Sequence, residues 1–140
     1  MKKLSEVLKN CVVAVVQEKA IYCSIPPFNP SECFPEYDGP IGSEDNPGYR
    51  AVREALRILG YDRERFGTRF WNPLRHLIHP GDTVVVKPNW VCHKNFGERA
   101  YGLTDTDSLT THGSILRPVL DYVCLALEGK GKVIIGDAPI

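Results

Sequence analysis

Three short runs of β-branched residues limit the folds that this chain can adopt. They occupy residues 11–16, 83–86 and 132–136, and turn-forming or charged residues bound them. Runs of this length and composition are typical of strands buried on both faces of a sheet. An amphipathic helical pattern separates each run from the next, which predicts parallel strands with right-handed crossovers. The predicted fold class is therefore α/β, as a small parallel-sheet β-α-β-α-β layered domain with long loops.

Both helical patterns have clear boundaries. The first begins with Asn46 as its N-cap, followed by a proline in the first turn, and a glycine ends it. The second covers residues 114–128, and Pro118 requires its regular part to begin close to Ser114. Thr111 or Ser114 is the expected cap of this second helix.

The 140 residues correspond to a single α/β domain that contains two long loops. We expect the proline-rich loop 18–46, which carries several aromatic residues, either to pack on the surface as an Ω-type or lid segment or to form a tethered connection. Residues 88–113 form a long loop after the central strand, and such loops are usually functional or disordered. The sequence ends four residues after Gly136. Because parallel sheets usually have more than three strands, we expect a truncated domain, or one whose sheet edge is covered by self-association or a partner.

Composition excludes several classes of function. The chain has 17 basic and 17 acidic residues, a balance that argues against nucleic-acid binding. The longest apolar run, residues 11–16, is far too short to span a membrane, and the N-terminus does not resemble a secretory signal. Five cysteines without a CxxC spacing indicate reduced thiols rather than a disulfide framework, so we expect a cytoplasmic protein.

Charged residues follow two of the predicted strands. Lys87 ends the run 83–86, with Asn89 close behind it, and Asp137 follows the last run. The carboxyl ends of parallel strands share one edge of a sheet, where α/β proteins bind ligands. Lys87 and Asp137 therefore form either a site for an anionic ligand or metal, or a structural ion pair that closes the sheet edge.

The start of the second helix provides further candidates. Thr111, His112 and Ser114 precede or open this helix, whose free N–H groups could bind an anion, although ordinary capping explains the hydroxyl residues equally well. His112 is the expected proton carrier. We therefore assign His112 and Lys87 as candidate catalytic residues. The candidate ligand-binding residues are Asn89, Thr111, Ser114 and Asp137.

No metal or cofactor can be assigned from the residues. Asp105 and Asp107 could join Asp137 in a site for a hard cation, but loop aspartates are more often turn formers. Cys92 and His93 could combine with Cys23 and Cys33, in a spacing that matches no zinc or cluster motif. The standard nucleotide-binding fingerprints are absent from the sequence.

Three blocks of the sequence resemble a known family. They are Pro-Gly-Asp-Thr-Val-Val-Val-Lys-Pro-Asn at 80–89, Thr-Thr-His at 110–112 and Val-Ile-Ile-Gly-Asp-Ala-Pro at 133–139. Their order and spacing resemble the uncharacterised bacterial and archaeal family called domain of unknown function 362, over about the last sixty residues. Members of that family are usually longer, and some carry a ferredoxin-like iron–sulfur segment at the carboxyl end. This chain has no such cysteine cluster and is similar to the amino-terminal part of a family member. The positions that the resemblance implies as important are Lys87, Pro88, Asn89, Thr111, His112, Asp137 and Pro139.

Two functions are consistent with these observations. The first is a cytosolic α/β domain, of an enzyme or an enzyme's partner, that binds a small anionic or metal-linked ligand at the carboxyl ends of its strands. The resemblance implies that such a domain is part of an iron–sulfur-associated enzyme. The alternative is a non-catalytic fragment or docking module, completed by a partner or by further sequence.

Overall fold

The computed structural model describes residues 12–90 and 109–138, which contain two helices and two strands. In chain order these are helix α1 (Pro47–Ile58), strand β1 (Thr83–Val86), helix α2 (Gly113–Leu127) and strand β2 (Lys132–Ile135), and a short 3₁₀ turn lies at Arg63–Arg65. The strands pair in parallel, with Thr83 opposite Lys132 and Val86 opposite Ile135. The predicted mixed α/β class is therefore confirmed, with β1, α2 and β2 forming one parallel crossover unit.

A capping side chain determines where each of the two helices begins. The Asn46 side chain accepts a hydrogen bond from the Tyr49 N–H at the start of α1, as predicted. At the start of α2 the predicted cap is wrong. The cap is His112, whose ring nitrogen accepts from the Ser114 N–H, in place of Thr111 or Ser114. A ring nitrogen can replace the usual side-chain oxygen because it offers an acceptor at a similar reach.

The sheet is smaller and more exposed than the sequence predicts. Among the described residues it has two strands, and Val85 and Ile135 are 66% and 41% exposed. Residues 12–16 form no strand, and Val13 and Val15 are exposed, so the predicted first buried strand is wrong over this range. A β-branched run becomes a buried strand only when a neighbouring strand and a covering layer are present. Neither accompanies this segment in the described part of the chain.

The core lies around the helices rather than on the sheet. Tyr49 of α1, Trp71 and Tyr122 of α2 are almost completely buried, and the Trp71 and Tyr122 rings meet edge to face at 5.4 Å. A Cβ atom added to Gly48 would lie 2.9 Å from Ile115 Cδ1, so this glycine allows α1 and α2 to approach closely. No helix in the described ranges is both long and apolar enough to cross a membrane.

The proline-rich loop 18–46 packs against both helices. Its Glu36 carboxylate is buried and accepts two hydrogen bonds from Arg53 of α1, and its Pro27 carbonyl accepts one from Arg117 of α2. Asn46 donates to the carbonyls of Phe28 and residue 29 at 2.9 and 3.1 Å. Of the two alternatives, the loop therefore corresponds to the packed surface segment, which brings its aromatic residues to the start of α2.

Candidate functional site

The parallel pairing of β1 and β2 brings the residues that follow both strands to one edge. We call this region the strand-end edge; it comprises Lys87, Asn89, Trp90, Thr111, His112 and Asp137. The Lys87 ammonium lies 2.7 Å from Asp137 Oδ1. The two side chains differ sharply in exposure, because Lys87 is 65% exposed and Asp137 only 2%. The edge therefore presents a cation to solvent over a covered carboxylate.

The Asp137 carboxylate has three donors within hydrogen-bond distance. Lys87 and the Ala138 N–H contact Oδ1, and the Trp90 N–H lies 2.6 Å from Oδ2. The hydrogen bond from Lys87 and those from the two backbone N–H groups lower the pKa of Asp137 to about 2. Asp137 is therefore a stable anion that fixes Lys87 and the backbone after β1.

A metal site at the strand-end edge has less support than an anion site. A cation at Asp137 Oδ1 would have to displace the Lys87 ammonium, and the part of the chain that the structure describes contains no group of three potential metal ligands. Other predicted ligands, namely Cys92, His93, Asp105 and Asp107, lie outside the described residues, as does Pro139. The cluster prediction also included Cys23, whose buried thiol donates to Glu44 at 3.3 Å.

Asn89 and Thr111 join the two ends of the loop 88–113. Their backbones bond through the Thr111 N–H and the Asn89 carbonyl, and Thr111 Oγ1 accepts from the Asn89 N–H, both at 2.9 Å. The Asn89 amide donates to the Leu109 carbonyl at 2.9 Å, and the Trp90 indole donates to the Thr111 carbonyl at 3.1 Å. The structure thus places both predicted ligand-binding residues at the edge, where their side chains already make hydrogen bonds within the chain.

His112 stands between aromatic rings and the backbone of α2. Its ring stacks on Tyr22 with a centroid distance of 4.4 Å and meets the edge of Phe28 at 5.3 Å. Nδ1 accepts from the Ser114 N–H, so the neutral ring carries its proton on Nε2. The contact of Tyr22 with His112 could not be predicted from the sequence, where the aromatic content of the loop 18–46 indicates packing but no partner.

The helix start is less available to a ligand than predicted. Ser114 is completely buried and its hydroxyl lies 2.9 Å from His112 Nδ1, so this side chain is engaged within the chain. The next two N–H groups, of Ile115 and Leu116, donate to the His112 carbonyl at 3.0 and 3.2 Å. Capping by His112 therefore satisfies the donors that an anion would otherwise use.

A polar cluster between the loop 18–46 and the helices was not predicted. Arg117 bonds both Asp121 and the Tyr37 hydroxyl, and the Tyr49 hydroxyl donates to Asp121 at 2.9 Å. Burial and the neighbouring Asp121 carboxylate raise the pKa of Tyr49 well above its ordinary value. These groups line a cleft of about 280 Å³. Packing of α1 against α2 brings Tyr49 to Asp121, and packing of the loop adds Tyr37, so no local sequence pattern indicates the cluster.

Comparisons with known proteins do not assign a family or a function to the chain. No protein-family model matches the chain, and neither a curated protein nor a solved structure matches it.

Proposed function

We propose that the strand-end edge binds a small anion, a carboxylate or phosphate group, through the Lys87 ammonium. The observation that carries this proposal is the contrast between an exposed Lys87 and the covered Asp137 that holds it at 2.7 Å. A lysine restrained in this way presents its remaining N–H donors without the full entropy loss of a free side chain. An ion pair that only closed the edge would gain little from leaving its lysine 65% exposed.

In this proposal Asp137 is a positioning residue. It orients the ammonium and the Trp90 backbone, and its own oxygens face donors of the chain. A metal-linked ligand would therefore approach through an anionic group that Lys87 contacts, rather than through coordination by Asp137. Trp90 is 39% exposed, and its indole is held by a hydrogen bond to the Thr111 carbonyl at 3.1 Å.

In this proposal His112 is the proton carrier, because an imidazole ring nitrogen can accept a proton and donate it again. Its Nδ1 is engaged by the cap, so Nε2 is the nitrogen that would exchange a proton with a bound ligand. The stack on Tyr22 fixes the ring plane. His112→Asn tests this role, because asparagine also caps a helix and removes only the titrating ring. Unchanged turnover with this variant, in any reaction found for the protein, would exclude His112 as the proton carrier.

The anion proposal is tested by two-dimensional ¹H–¹⁵N NMR with malonate and inorganic phosphate as probes. We expect saturable shifts of the Trp90 amide and indole signals with one or both anions. Lys87→Gln should weaken binding by about tenfold or more, since a charge-assisted contact is removed. Lys132→Gln is the matched control, because it removes an exposed lysine at the opposite end of β2 and should leave the affinity unchanged. Absence of a saturable shift, or equal effects of the two variants, would refute the proposal.

One observation favours the second candidate, a docking module. Val85, Ile134 and Ile135 expose apolar side chains on a two-stranded sheet, which is a surface that α/β proteins normally cover. Additional strands from a second copy or a partner would complete a layered β-α-β-α-β arrangement. Sedimentation velocity across a concentration series distinguishes the two: a monomer at all concentrations with a cooperative unfolding transition argues against docking between copies.

The proposal includes a cytoplasmic location for the protein. Cys23, Cys33 and Cys124 are free thiols among the described residues, which supports a reducing compartment such as the cytoplasm. The three blocks that resemble the domain of unknown function 362 family fall on β1, on the start of α2 and on β2, so the resemblance and the anion proposal concern the same edge. An association with an iron–sulfur enzyme remains part of the proposal through that resemblance alone.

A further inference from the structure

A second cleft lies at the other ends of β1 and α2. It has a volume of about 560 Å³, and its walls come from residues 65–80 and from the carboxyl end of α2. His79 and Pro80 precede β1, whereas Lys87 follows it, and β1 spans roughly 13 Å. Similarly, α2 separates the cleft from His112 by roughly 22 Å. The cleft is therefore distinct from the strand-end edge, and its size falls within the range of roughly 300–1,000 Å³ of small-molecule sites.

The charges that line this cleft are unbalanced. Arg65, Arg69 and Arg75 face it together with a single carboxylate, that of Glu128. Arg65 uses one guanidinium nitrogen for Asp62, at 2.8 Å, which leaves its other N–H groups available. Neither Arg69 nor Arg75 forms an ion pair with a carboxylate in residues 12–90 and 109–138.

In contrast to Arg69 and Arg75, the arginines of the two helices all form ion pairs. Each of them is paired with at least one carboxylate; these residues are Arg50, Arg53, Arg57 and Arg117. The chain as a whole has no net charge. The excess of positive charge in the cleft is therefore a local feature, and it is suited to an anion that brings the missing negative charge.

A buried amide oxygen points to a ligand independently of the charges. Asn72 lines the cleft, and its Oδ1 is buried without a hydrogen-bond partner among the described residues. The surroundings hold the residue in place, since its N–H donates to Asp62 at 3.0 Å and Trp71 and Pro73 on either side are buried. The amide nitrogen of Asn72 donates to the Leu125 carbonyl at 3.5 Å. Buried side-chain oxygens are normally paired, so a bound molecule that displaces the groups covering Oδ1 would supply the missing donor through a hydroxyl or N–H.

An exposed aromatic ring completes the lining. Phe70 is 65% exposed, and the Arg69 guanidinium lies 5.1 Å from its ring centroid. An exposed phenylalanine beside arginines offers a face on which a planar ring can stack next to a bound anion. The lining therefore provides contacts for three different chemical groups in one cleft: an anion, a hydroxyl or N–H donor and a flat ring.

We propose that this cleft binds a nucleoside phosphate, with its phosphate on Arg69 and Arg75 and its base against Phe70. The guanidinium group suits a phosphate because its N–H donors match two oxygens at once. The ribose hydroxyls or the exocyclic amine of the base supply the donor for Asn72. A small nucleotide, rather than a nucleic-acid strand, fits a cleft of about 560 Å³ and the zero net charge of the chain.

The test is a calorimetric and NMR titration of the full chain with four probes: AMP, ribose 5-phosphate, adenosine and a short single-stranded oligonucleotide. We expect AMP to bind at least about tenfold more tightly than ribose 5-phosphate or adenosine, because each lacks one of the two anchoring groups. The indole signal of Trp71, which lines the cleft, should shift with AMP and not with inorganic phosphate, whereas the Trp90 signals should respond to AMP no more than to inorganic phosphate. Equal affinities for AMP and adenosine, no saturable binding of AMP, or an oligonucleotide that binds more tightly than AMP would overturn the proposal.

Single substitutions test whether AMP binds in this cleft. Arg75→Gln should weaken AMP binding by about tenfold, and Phe70→Leu should reduce the preference for AMP over ribose 5-phosphate. The matched control is Arg57→Gln, which removes an exposed arginine outside the cleft and should leave AMP affinity unchanged. Lys87→Gln should leave the AMP-dependent shift of the Trp71 signal unchanged, so failure at the strand-end edge and failure at this cleft can be told apart. Similar losses with Arg57→Gln and Arg75→Gln would show nonspecific charge attraction and refute the site.

Discussion

Asn46 is the residue on which the position of the loop over His112 depends most directly. It is completely buried at the start of α1, where its Oδ1 caps the Tyr49 N–H at 3.0 Å. Its side-chain amide donates to the carbonyls of Phe28 and Asn29 at 2.9 and 3.1 Å. One side chain thus fixes both the helix and the segment that carries Phe28 onto the His112 ring.

The loss on replacing Asn46 can be estimated from these three hydrogen bonds. Asn46→Ala removes the cap, worth about 1 kcal/mol, and leaves two carbonyls without a donor at about 1 kcal/mol each. The free energy of unfolding should fall by about 3 kcal/mol, and the Tm by roughly 10 °C for a chain of this length. Urea denaturation followed by circular dichroism measures the first quantity directly.

Asn46→Asp separates capping from anchoring of the loop. Aspartate caps a helix about as well as asparagine, but its carboxylate has no N–H for the carbonyls of Phe28 and Asn29 and repels them. We expect this variant to lose at least about 2 kcal/mol, and the ring contacts of His112 with Tyr22 and Phe28 to weaken in nuclear Overhauser spectra. Wild-type stability of Asn46→Asp would show that only the cap matters and would refute the anchoring role.

Three further predictions follow from contacts elsewhere. The carboxyl group of Asp137 should titrate near pH 2, so its contribution to stability is complete above about pH 4 and is lost as the pH falls through about 2; a midpoint near 4 in ¹³C NMR would contradict this. Gly113→Ala should destabilise the protein by about 1–3 kcal/mol, because the added Cβ overlaps the Phe28 ring, but should be neutral or stabilising in a Phe28→Ala background; equal effects in both backgrounds would exclude the overlap. Arg53→Lys should cost about 2 kcal/mol, because its bidentate contact is to a carboxylate only 2% exposed, whereas the exposed Arg57→Lys should cost less than about 0.5 kcal/mol in the same urea assay.

The elements predicted well are those that local chemistry determines. The Asn46 cap and the start of α2 close to Ser114 follow from side chains within a few residues of each helix end. β1 and β2 are apolar runs between turn residues, and the helical pattern of residues 114–128 lies between them, which favours parallel pairing. That pairing alone brings Lys87 towards Asp137, so the position of the candidate pair was predictable before any side chain was placed.

The misplaced elements depend on neighbours that are distant in sequence. The run 12–16 has the composition of a buried strand, yet without a sheet neighbour in the described residues its valines are exposed. The capping role of His112 could not be read from its type, since Thr111 and Ser114 are the usual caps. The arginine-lined cleft could not be predicted from the sequence, because its lining combines Asn72 and Arg75 with the distant carboxyl end of α2.

The sequence by itself determined the helix boundaries, the two paired strands and the placement of Lys87 and Asp137 after them, since each depends on propensity and pattern over a few residues. Tertiary structure alone decided which of the paired charges is covered, that Tyr22 and Phe28 lie against His112, and that Arg69 and Arg75 share a cleft with a buried amide oxygen. Exposure and contacts between distant segments arise from packing of the whole chain, which no local pattern encodes.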